Sequence, residues 1–304
     1  MKYIWCLAIV LCACAGVAQA APASGDLLDE NFDSLTLSPS VEETSGGQPI
    51  GTIGYNKTGP TDWVIDKTGV PQEDADEDPA NNAGVEEWEG WSFAGAVWKG
   101  IGQGRQNFTR GTNVVAVADP DDYDDSGDPL PGSTDALNGY PGTYNTHLDT
   151  PLIDLTGIPV GTTLYVSFDS SFRGETDDEA GENQTAIVTA NFGTGFGGSE
   201  ELLRYASDPT DPAYAGALVH GEGSPADPNP FVNEEVMLSF VVPDLTGLPE
   251  NVSLRFSLVQ ALNDWWWAID NIKVGTSVIP EPSSFALIGL GLAGLLALGR
   301  RRFA

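Results

Sequence analysis

Short runs in which apolar and polar residues alternate constrain the fold of this chain more than any other feature of its sequence. Clear examples are Leu164–Phe168, Val236–Val242 and Val252–Leu258, and Gly, Pro, Asn and Asp separate such runs. Signals for helices are nearly absent between the two ends of the chain. A period of two with one apolar face is typical of strands that pack against a second sheet. The sequence therefore predicts an all-β fold, a jelly-roll-like two-sheet β-sandwich.

The three cysteines all fall within the first 20 residues, at Cys6, Cys12 and Cys14. A short positive segment and an apolar stretch open the chain, and Ala18-Gln19-Ala20 then offers small residues at the −3 and −1 positions of a signal-peptidase site. This order predicts a signal peptide over residues 1–20, cleaved between Ala20 and Ala21. Lipidation of Cys14 is the alternative. We expect the mature chain, which would contain no cysteine, to depend on a hydrophobic core and not on disulfides.

Acidic residues dominate the charge of the chain, with 44 Asp and Glu against 13 Lys and Arg and a formal net charge of −31. Such a surface repels nucleic acid and other polyanions and attracts cations. We therefore expect no nucleic-acid partner. The acidity is typical of proteins that stay soluble in a salty medium, where charges are screened over about 8 Å, and it also suits divalent-cation binding. Residues 21–277 are long enough for one large sandwich domain.

The C-terminal segment, residues 278–304, has three parts. It begins with Pro280, Glu281 and Pro282, continues with an uncharged apolar stretch over residues 285–299, and ends in Arg300, Arg301 and Arg302 before the last two residues. As a short hydrophobic helix, the segment from Ser283 to Leu298 is about 24 Å long, against a bilayer core of ~30 Å. By the positive-inside rule the arginines stay in the cytoplasm and the main body lies outside.

This segment resembles the PEP-CTERM sorting signal, which bacterial exosortases recognise in exported envelope proteins. The resemblance implies that the exosortase and the secretion machinery are partners of the chain. It also implies that the inner membrane holds the tail, with the body in the periplasm, until processing delivers the protein to the outer envelope or extracellular matrix. The alternative is a plain membrane anchor that is never processed.

A second pattern joins Thr150-Pro151 in one strand to Trp267-Ala268-Ile269-Asp270-Asn271-Ile272 in the last strand. In this pattern residues 88–275 resemble the jelly-roll modules of exported bacterial proteins and are similar in outline to MAM domains. The chain departs from MAM domains because it lacks their cysteines. The resemblance implies a recognition or structural module without catalytic residues.

Common motifs for catalysis are absent from the sequence, which has no His-Glu-x-x-His zinc motif and no Gly-x-Ser-x-Gly nucleophile elbow. We expect His147, in a strand-like segment, to be a structural hydrogen-bonding residue. The sequence predicts a protein that is not an enzyme and that acts as a glycan-binding or structural component, with exopolysaccharide as a partner. A secreted polysaccharide hydrolase is the alternative, because a chain this acidic contains carboxylate pairs by chance.

Two segments offer the oxygen ligands that calcium prefers. The first, Asp122 to Gly127, fits the opening of an EF-hand loop with Asp122 and Asp124 as ligands, although Ser133 stands where the bidentate Glu is expected. The second would form where the first and last strands meet, a position at which jelly-roll modules commonly hold calcium, from Glu30, Asp33 and Asp270. The alternative is that Asp270 caps a bulge through backbone hydrogen bonds.

The chain beyond the signal peptide contains seven tryptophans, and three of them, Trp265, Trp266 and Trp267, are consecutive. An exposed aromatic ring can stack on the C–H face of a sugar, as it does on other flat apolar groups. Because neighbours on a strand face opposite ways, we expect Trp267 to share the core face with Ile269. Trp266 is then the predicted ligand-binding ring. The alternative is packing on both faces.

Long acidic segments and one repeated turn separate the strands. The acidic segments include residues 71–83, 119–140, 174–183 and 207–230, and loops of this length are usually functional or mobile. The sequence Asp154-Leu155-Thr156-Gly157-Ile158-Pro159 recurs as Asp244-Leu245-Thr246-Gly247-Leu248-Pro249, each time before a strand. We interpret the repeat as shared turn chemistry and not as a duplicated domain.

Overall fold

The computed structural model of this protein describes residues 25–42, 48–70, 85–102, 104–124, 144–174, 184–208, 210–214, 231–261 and 265–276. In this part the strands are β1 (Asp26–Glu30), β2 (Ser38–Pro39), β3 (Gly54–Asn56), β4 (Val64–Gly69), β5 (Ser92–Ala94), β6 (Val115–Ala118), β7 (Tyr144–Asp149), β8 (Ile153–Asp154), β9 (Thr163–Arg173), β10 (Thr185–Phe192), β11 (Ser199–Ala206), β12 (Phe231–Val241), β13 (Asn251–Ala261) and β14 (Trp267–Gly275). One short α-helix, α1 (Pro120–Asp124), and single 3-10 turns lie between them.

The strands form two antiparallel sheets. Sheet A has the order β12-β9-β14-β6-β5-β3-β2, with β1 beside β14. Sheet B has the order β11-β10-β13-β7-β4, with β8 beside β13. The alternating runs become strands whose apolar side chains meet between the sheets, as where Phe168 of β9 packs edge-to-face on Phe256 of β13 at 5.3 Å. The prediction of an all-β two-sheet sandwich is confirmed, while the two predicted flanking helices lie outside the described residues.

Both ends of the described chain lie at one end of the sandwich. Strand β1 pairs with β14, and Asp26 lies opposite Gly275. Gly275 in turn lies opposite Tyr165, near the beginning of β9. We call this the terminal end. The first and last strands therefore meet, as the sequence predicted.

The opposite end of the sandwich, which we call the loop end, is where β9 ends and β10 begins. There the side-chain amide of Gln184 donates to the backbone carbonyl of Arg173 over 2.6 Å, and Tyr144 lies opposite Ala261. Five segments that the structure does not describe connect residues at this end: 71–84, 125–143, 175–183, 215–230 and 262–264. Their sequences contain Asp and Glu but no Lys or Arg. Among the described residues, no helix is long and apolar enough to cross a membrane.

A layer of irregular structure covers the outer face of sheet A near the loop end. It includes the 3-10 turns Trp98–Gly100 and Arg105–Asn107. Trp98, Ile101 and Phe108 of this layer are buried. Part of sheet A therefore packs on both of its faces, and the core extends beyond the space between the two sheets.

Candidate functional site

Trp266, the predicted sugar-stacking residue, is inaccessible. Its exposed fraction is 0%, and its ring packs edge-to-face on Trp98 at 5.3 Å. Trp267 faces the other way and packs on Trp91 at 5.3 Å. The prediction of an open ring at Trp266 is wrong because the layer over sheet A buries the outer side chain as fully as sheet B buries the inner one. The alternative of packing on both faces is confirmed.

The predicted calcium ligands Glu30, Asp33 and Asp270 do not come together. Within the described part of the chain they do not form a group of three carboxylates close enough to share an ion. A Glu30 oxygen accepts a hydrogen bond from the amide of Phe32 over 2.7 Å. Asp33 accepts from the Asn113 side chain over 2.9 Å and from the Val114 amide over 3.3 Å. The carboxylates of Glu30 and Asp33 therefore accept hydrogen bonds from neighbouring residues and do not point to a shared metal ion.

Asp270 likewise binds backbone. It accepts from the amide of Thr112 over 2.8 Å and from the amide of Asn271 over 2.7 Å. The pairing of β14 with β9 shifts register between Asp270 and Lys273, and Asn271 has a φ of 54°, so Asp270 caps a bulge. The alternative stated for this residue is confirmed, and the calcium set that included it is wrong.

Asp270 and Asp33 together hold the segment 110–114 against the sheet, and the electrostatics of this contact are unusual. Burial raises the pKa of Asp270 to about 7, and the negative charges of Asp33 and Asp169 add to the rise, whereas hydrogen bonds from Thr112 and Asn271 oppose it. Burial lowers the pKa of Lys99, against the attraction of Asp270 and Asp33. Asp270 therefore titrates near neutral pH while holding a structural contact.

A second acidic cluster lies where β6 runs into α1. Asp119 precedes Pro120, the first residue of the helix, and its Oδ1 accepts from the amide of Asp122 over 3.3 Å. Asp before Pro at a helix start is a common capping arrangement. Asp122 therefore lies in a helical turn, and residues 125–127 of the predicted EF-hand-like loop lie outside the described residues. The side chain of Asp124 lies outside the described residues.

The guanidinium of Arg105 joins two carboxylates of this cluster. Its Nη2 lies 2.8 Å from Asp119 Oδ2 and 2.6 Å from Asp122 Oδ2, and all three side chains are 0% exposed. The indole of Trp98 also donates to Asp119 over 3.2 Å. Burial acts to lower the pKa of Arg105, but the two carboxylates outweigh it and raise that pKa above its ordinary value. The three groups form a buried, charged network.

Asp119, Asp121 and Asp122 each place a carboxylate oxygen within 4.8 Å of the others, which is close enough to hold a metal ion. Asp121 is half-buried, while the other two are buried. The three carboxylates offer several oxygen atoms at one point, and oxygen ligands are those that calcium takes. The donor set thus fits a hard divalent cation. Of these three residues, only Asp122 was predicted from the sequence as a metal ligand.

A pocket of about 300 Å³ lies at the terminal end, lined by residues of both copies of the repeated turn. In each copy the Asp side chain accepts from the Thr amide two residues later, over 2.8 Å at Asp154 and 3.0 Å at Asp244. The glycine that follows takes a φ of 80° at Gly157 and 82° at Gly247, which favours glycine over other residues. The prediction of shared turn chemistry is confirmed.

The ring of Phe196 is 82% exposed, on the loop between β10 and β11. This loop packs beside the pocket: a Cβ placed on Gly197 would lie 2.7 Å from Leu245, which lines the pocket. Phe196 was not predicted from the sequence as a functional residue. Its flanking glycines, Gly193, Gly195, Gly197 and Gly198, were the available sign of a tight loop that exposes it.

Two further groups bear on catalysis. His147 Nδ1 lies 2.8 Å from Ser257 Oγ, and burial, followed by the charge of Arg255, lowers the pKa of the imidazole. Of the two carboxylates that line the pocket, Asp244 has a pKa lowered by hydrogen bonds from Thr246. A general acid in glycoside hydrolysis needs the opposite shift, so Asp244 does not suit that role.

Comparison with known proteins connects the tail to a sorting system. Residues 278–302 match the PEP-CTERM protein-sorting motif, whereas comparison with curated proteins gives no match. Similar solved structures include the K3 cleaved adhesin domain of Lys-gingipain from Porphyromonas gingivalis w83, at 11% identity over 82% of this chain and 98% of that chain, with a TM-score of 0.33. Another is an apo cyclase from Fischerella sp., at 12% identity over 82% and 95% of the two chains, with a TM-score of 0.36.

Likeness at these scores carries no argument about function, and the fold is defined by the strand pairing described above. The tail carries the functional information: this is an exported protein with a β-sandwich body and a C-terminal motif that implies exosortase processing at the cell surface.

Proposed function

We propose that this protein is a non-catalytic component of the outer envelope or extracellular matrix, where it binds exopolysaccharide or has a structural role. The observation on which the proposal depends is that the sorting motif directly follows the strand that ends at the terminal end of the sandwich. Residue 278, where the motif begins, follows Gly275 by three positions. The segment 277–284 spans at most about 28 Å when fully extended. A tail held in the inner membrane thus keeps the terminal end near the bilayer and directs the loop end away from it.

Calcium is the cofactor we propose, held by Asp119, Asp121 and Asp122. The ion would bind to the carboxylate oxygens that the three residues bring within 4.8 Å of one another, and its role would be structural. Because α1 lies beside the loop end, such an ion would stabilise the side of the molecule that faces away from the membrane.

The test begins with the protein purified from its host. Intact mass is expected to show a chain that begins at Ala21 and has lost the residues that follow the Pro-Glu-Pro site. Cell fractionation is expected to find that form in the outer envelope or matrix. A mature pool that keeps Arg300, Arg301 and Arg302 in the inner membrane would contradict the proposal and leave a plain anchor. The same preparation, incubated with the host exopolysaccharide, is expected to release no new reducing ends; their release would favour the hydrolase.

A further inference from the structure

The described tryptophans of this protein are buried or partly buried, and the exposed aromatic ring belongs to a phenylalanine. Trp63, Trp88, Trp91, Trp98, Trp266 and Trp267 are buried, and Trp265 is partly buried against the core. Among the side chains that the structure describes, Phe196 is the exposed large aromatic residue, at 82%. Single exposed apolar residues are common on soluble proteins, so its surroundings decide whether it has a role.

The loop that carries Phe196 is rigidly built. The amide of Gly197 donates to the carbonyl of Phe192 over 2.9 Å, and the amide of Phe192 donates to the carbonyl of Gly198 over 3.0 Å. The Phe196 amide itself donates to Gly193 over 3.2 Å. A ring on such a closed loop loses little conformational freedom when a ligand covers it.

A second set of contacts fixes this loop to the neighbouring turn. Thr194 has a φ of 57°, a strained conformation for a residue other than glycine. The amide of Thr194 donates to the Asn251 side chain over 2.9 Å. Asn251 begins β13, directly after Glu250, which lines the pocket. The loop that carries Phe196 and the turn that lines the pocket therefore keep their relative positions.

The pocket has the size and the lining of a site for a single sugar unit. Its volume of about 300 Å³ lies at the lower limit for small-molecule sites. Ile158 and Val160, the latter 64% exposed, supply apolar surface, and Thr246 and Glu250 supply polar groups that can meet hydroxyls. An aromatic ring beside an apolar pocket with polar groups matches a sugar, which has both C–H faces and hydroxyl edges.

The negative charge at the pocket disfavours anionic glycans. Asp244 and Glu250 line it, and none of its lining residues is Lys or Arg. The Asp244 carboxylate is ionised at neutral pH, as an exposed Asp ordinarily is, and hydrogen bonds from Thr246 lower its pKa further. Uronates and sulfated sugars are repelled from such a site. The ligand that fits is an uncharged polysaccharide.

We propose that Phe196 and the adjoining pocket bind one unit of a neutral glycan chain, with the ring stacked on the sugar face and the acidic rim excluding anionic polymers. This inference rests on the proposed function, since it names the polymer that a matrix protein of this kind would contact. It places the glycan site at the terminal end, on the side from which the sorting tail leaves.

The test is calorimetric titration of the mature full-length protein with neutral gluco-, galacto- and manno-oligosaccharides and with an oligouronate. At least one neutral probe is expected to bind, and the oligouronate to bind more weakly. Phe196→Ala is expected to raise the Kd about five- to tenfold with an unchanged Tm, and Phe196→Trp to preserve binding. Val64→Ala is the matched control, because Val64 is 54% exposed and lies on a strand.

Three results would overturn the inference: no neutral probe binds, Phe196→Ala binds as tightly as the wild type, or the oligouronate binds best. None of them would alter the intact mass or the location of the host protein. Failure of the glycan site is therefore distinguishable from failure of the proposed export and processing.

Discussion

Replacing Arg105 by methionine removes the cation from a buried network of charges. Its guanidinium lies 2.8 Å from Asp119 Oδ2 and 2.6 Å from Asp122 Oδ2, with no solvent access to any of the three side chains. Methionine would leave the two carboxylates buried beside each other without their cation. Removal of one partner from a buried ion pair costs about 3–5 kcal/mol. At ~2–4 °C per kcal/mol for a domain of this size, the Tm is expected to fall by about 6–20 °C.

Denaturant unfolding and thermal melts of the purified variant measure this loss. The control is Arg204→Met, since Arg204 also makes a close ion pair, 2.6 Å from Glu201, but is 34% exposed; exposed pairs contribute about 0–1 kcal/mol. Adding Asp122→Asn to Arg105→Met is expected to restore part of the loss because it removes one buried charge. If Arg105→Met costs no more than Arg204→Met, the argument from burial is refuted.

Two further predictions concern the other carboxylates. Folding raises the pKa of Asp270 from 3.8 to about 7. Between pH 3.8 and about 7 the folded chain therefore binds a proton at Asp270 that the unfolded chain does not bind. The stabilisation from this proton is present at low pH and is lost as the pH rises to about 7. The change in Tm from pH 5 to pH 7.5 is expected to be smaller in Asp270→Asn than in the wild type, and equal changes would contradict this. Calcium at a hundredfold excess over Kd is expected to add ~2.7 kcal/mol of stability to the wild type and less to Asp121→Asn; identical melts in chelator and in calcium would contradict the proposed site.

Strand positions in this fold could be predicted because alternation is a local property. The run Val252–Leu258 has the same two faces in the sequence and in β13, where Val252, Leu254 and Phe256 are buried. The pairing of β1 with β14 was also predictable, although it joins residues far apart in the chain, because it follows from the jelly-roll-like arrangement. The repeated turns needed only local hydrogen bonds between Asp and Thr.

The position of Trp266 could not be predicted from alternation alone. Alternation shows that Trp266 and Trp267 face opposite ways, but not what lies on either side. The layer that covers Trp266 comes from Trp98 and its neighbours, more than 160 residues earlier in the chain. A sheet with a second covering layer buries both faces, so the usual rule that one face is exposed does not hold there.

The acidic cluster was partly predictable. Asp119-Pro120-Asp121-Asp122 carries the signature of a helix start, an Asp cap followed by Pro and acidic residues in the first turn. A helix that begins at Pro120 places Asp122 in the first turn, close to the capping residue Asp119, so the proximity of these two residues could have been predicted. The partner Arg105 had no such signal, because its contact depends on how the layer over sheet A folds back on α1.

The two candidate sites lie at opposite ends of the sandwich, and this separation has a physical consequence. The cluster at Asp119 follows β6, where Ala118 lies opposite Trp267 at the loop end, whereas Phe196 and its pocket lie with the turns at the terminal end. Sites that share no partner residues act almost additively on stability. A cation at the cluster would therefore strengthen the loop end without changing the glycan site. If both proposed sites exist, the Kd for the neutral glycan is expected to be the same in calcium and in chelator, and a Kd that depends on calcium would contradict their independence.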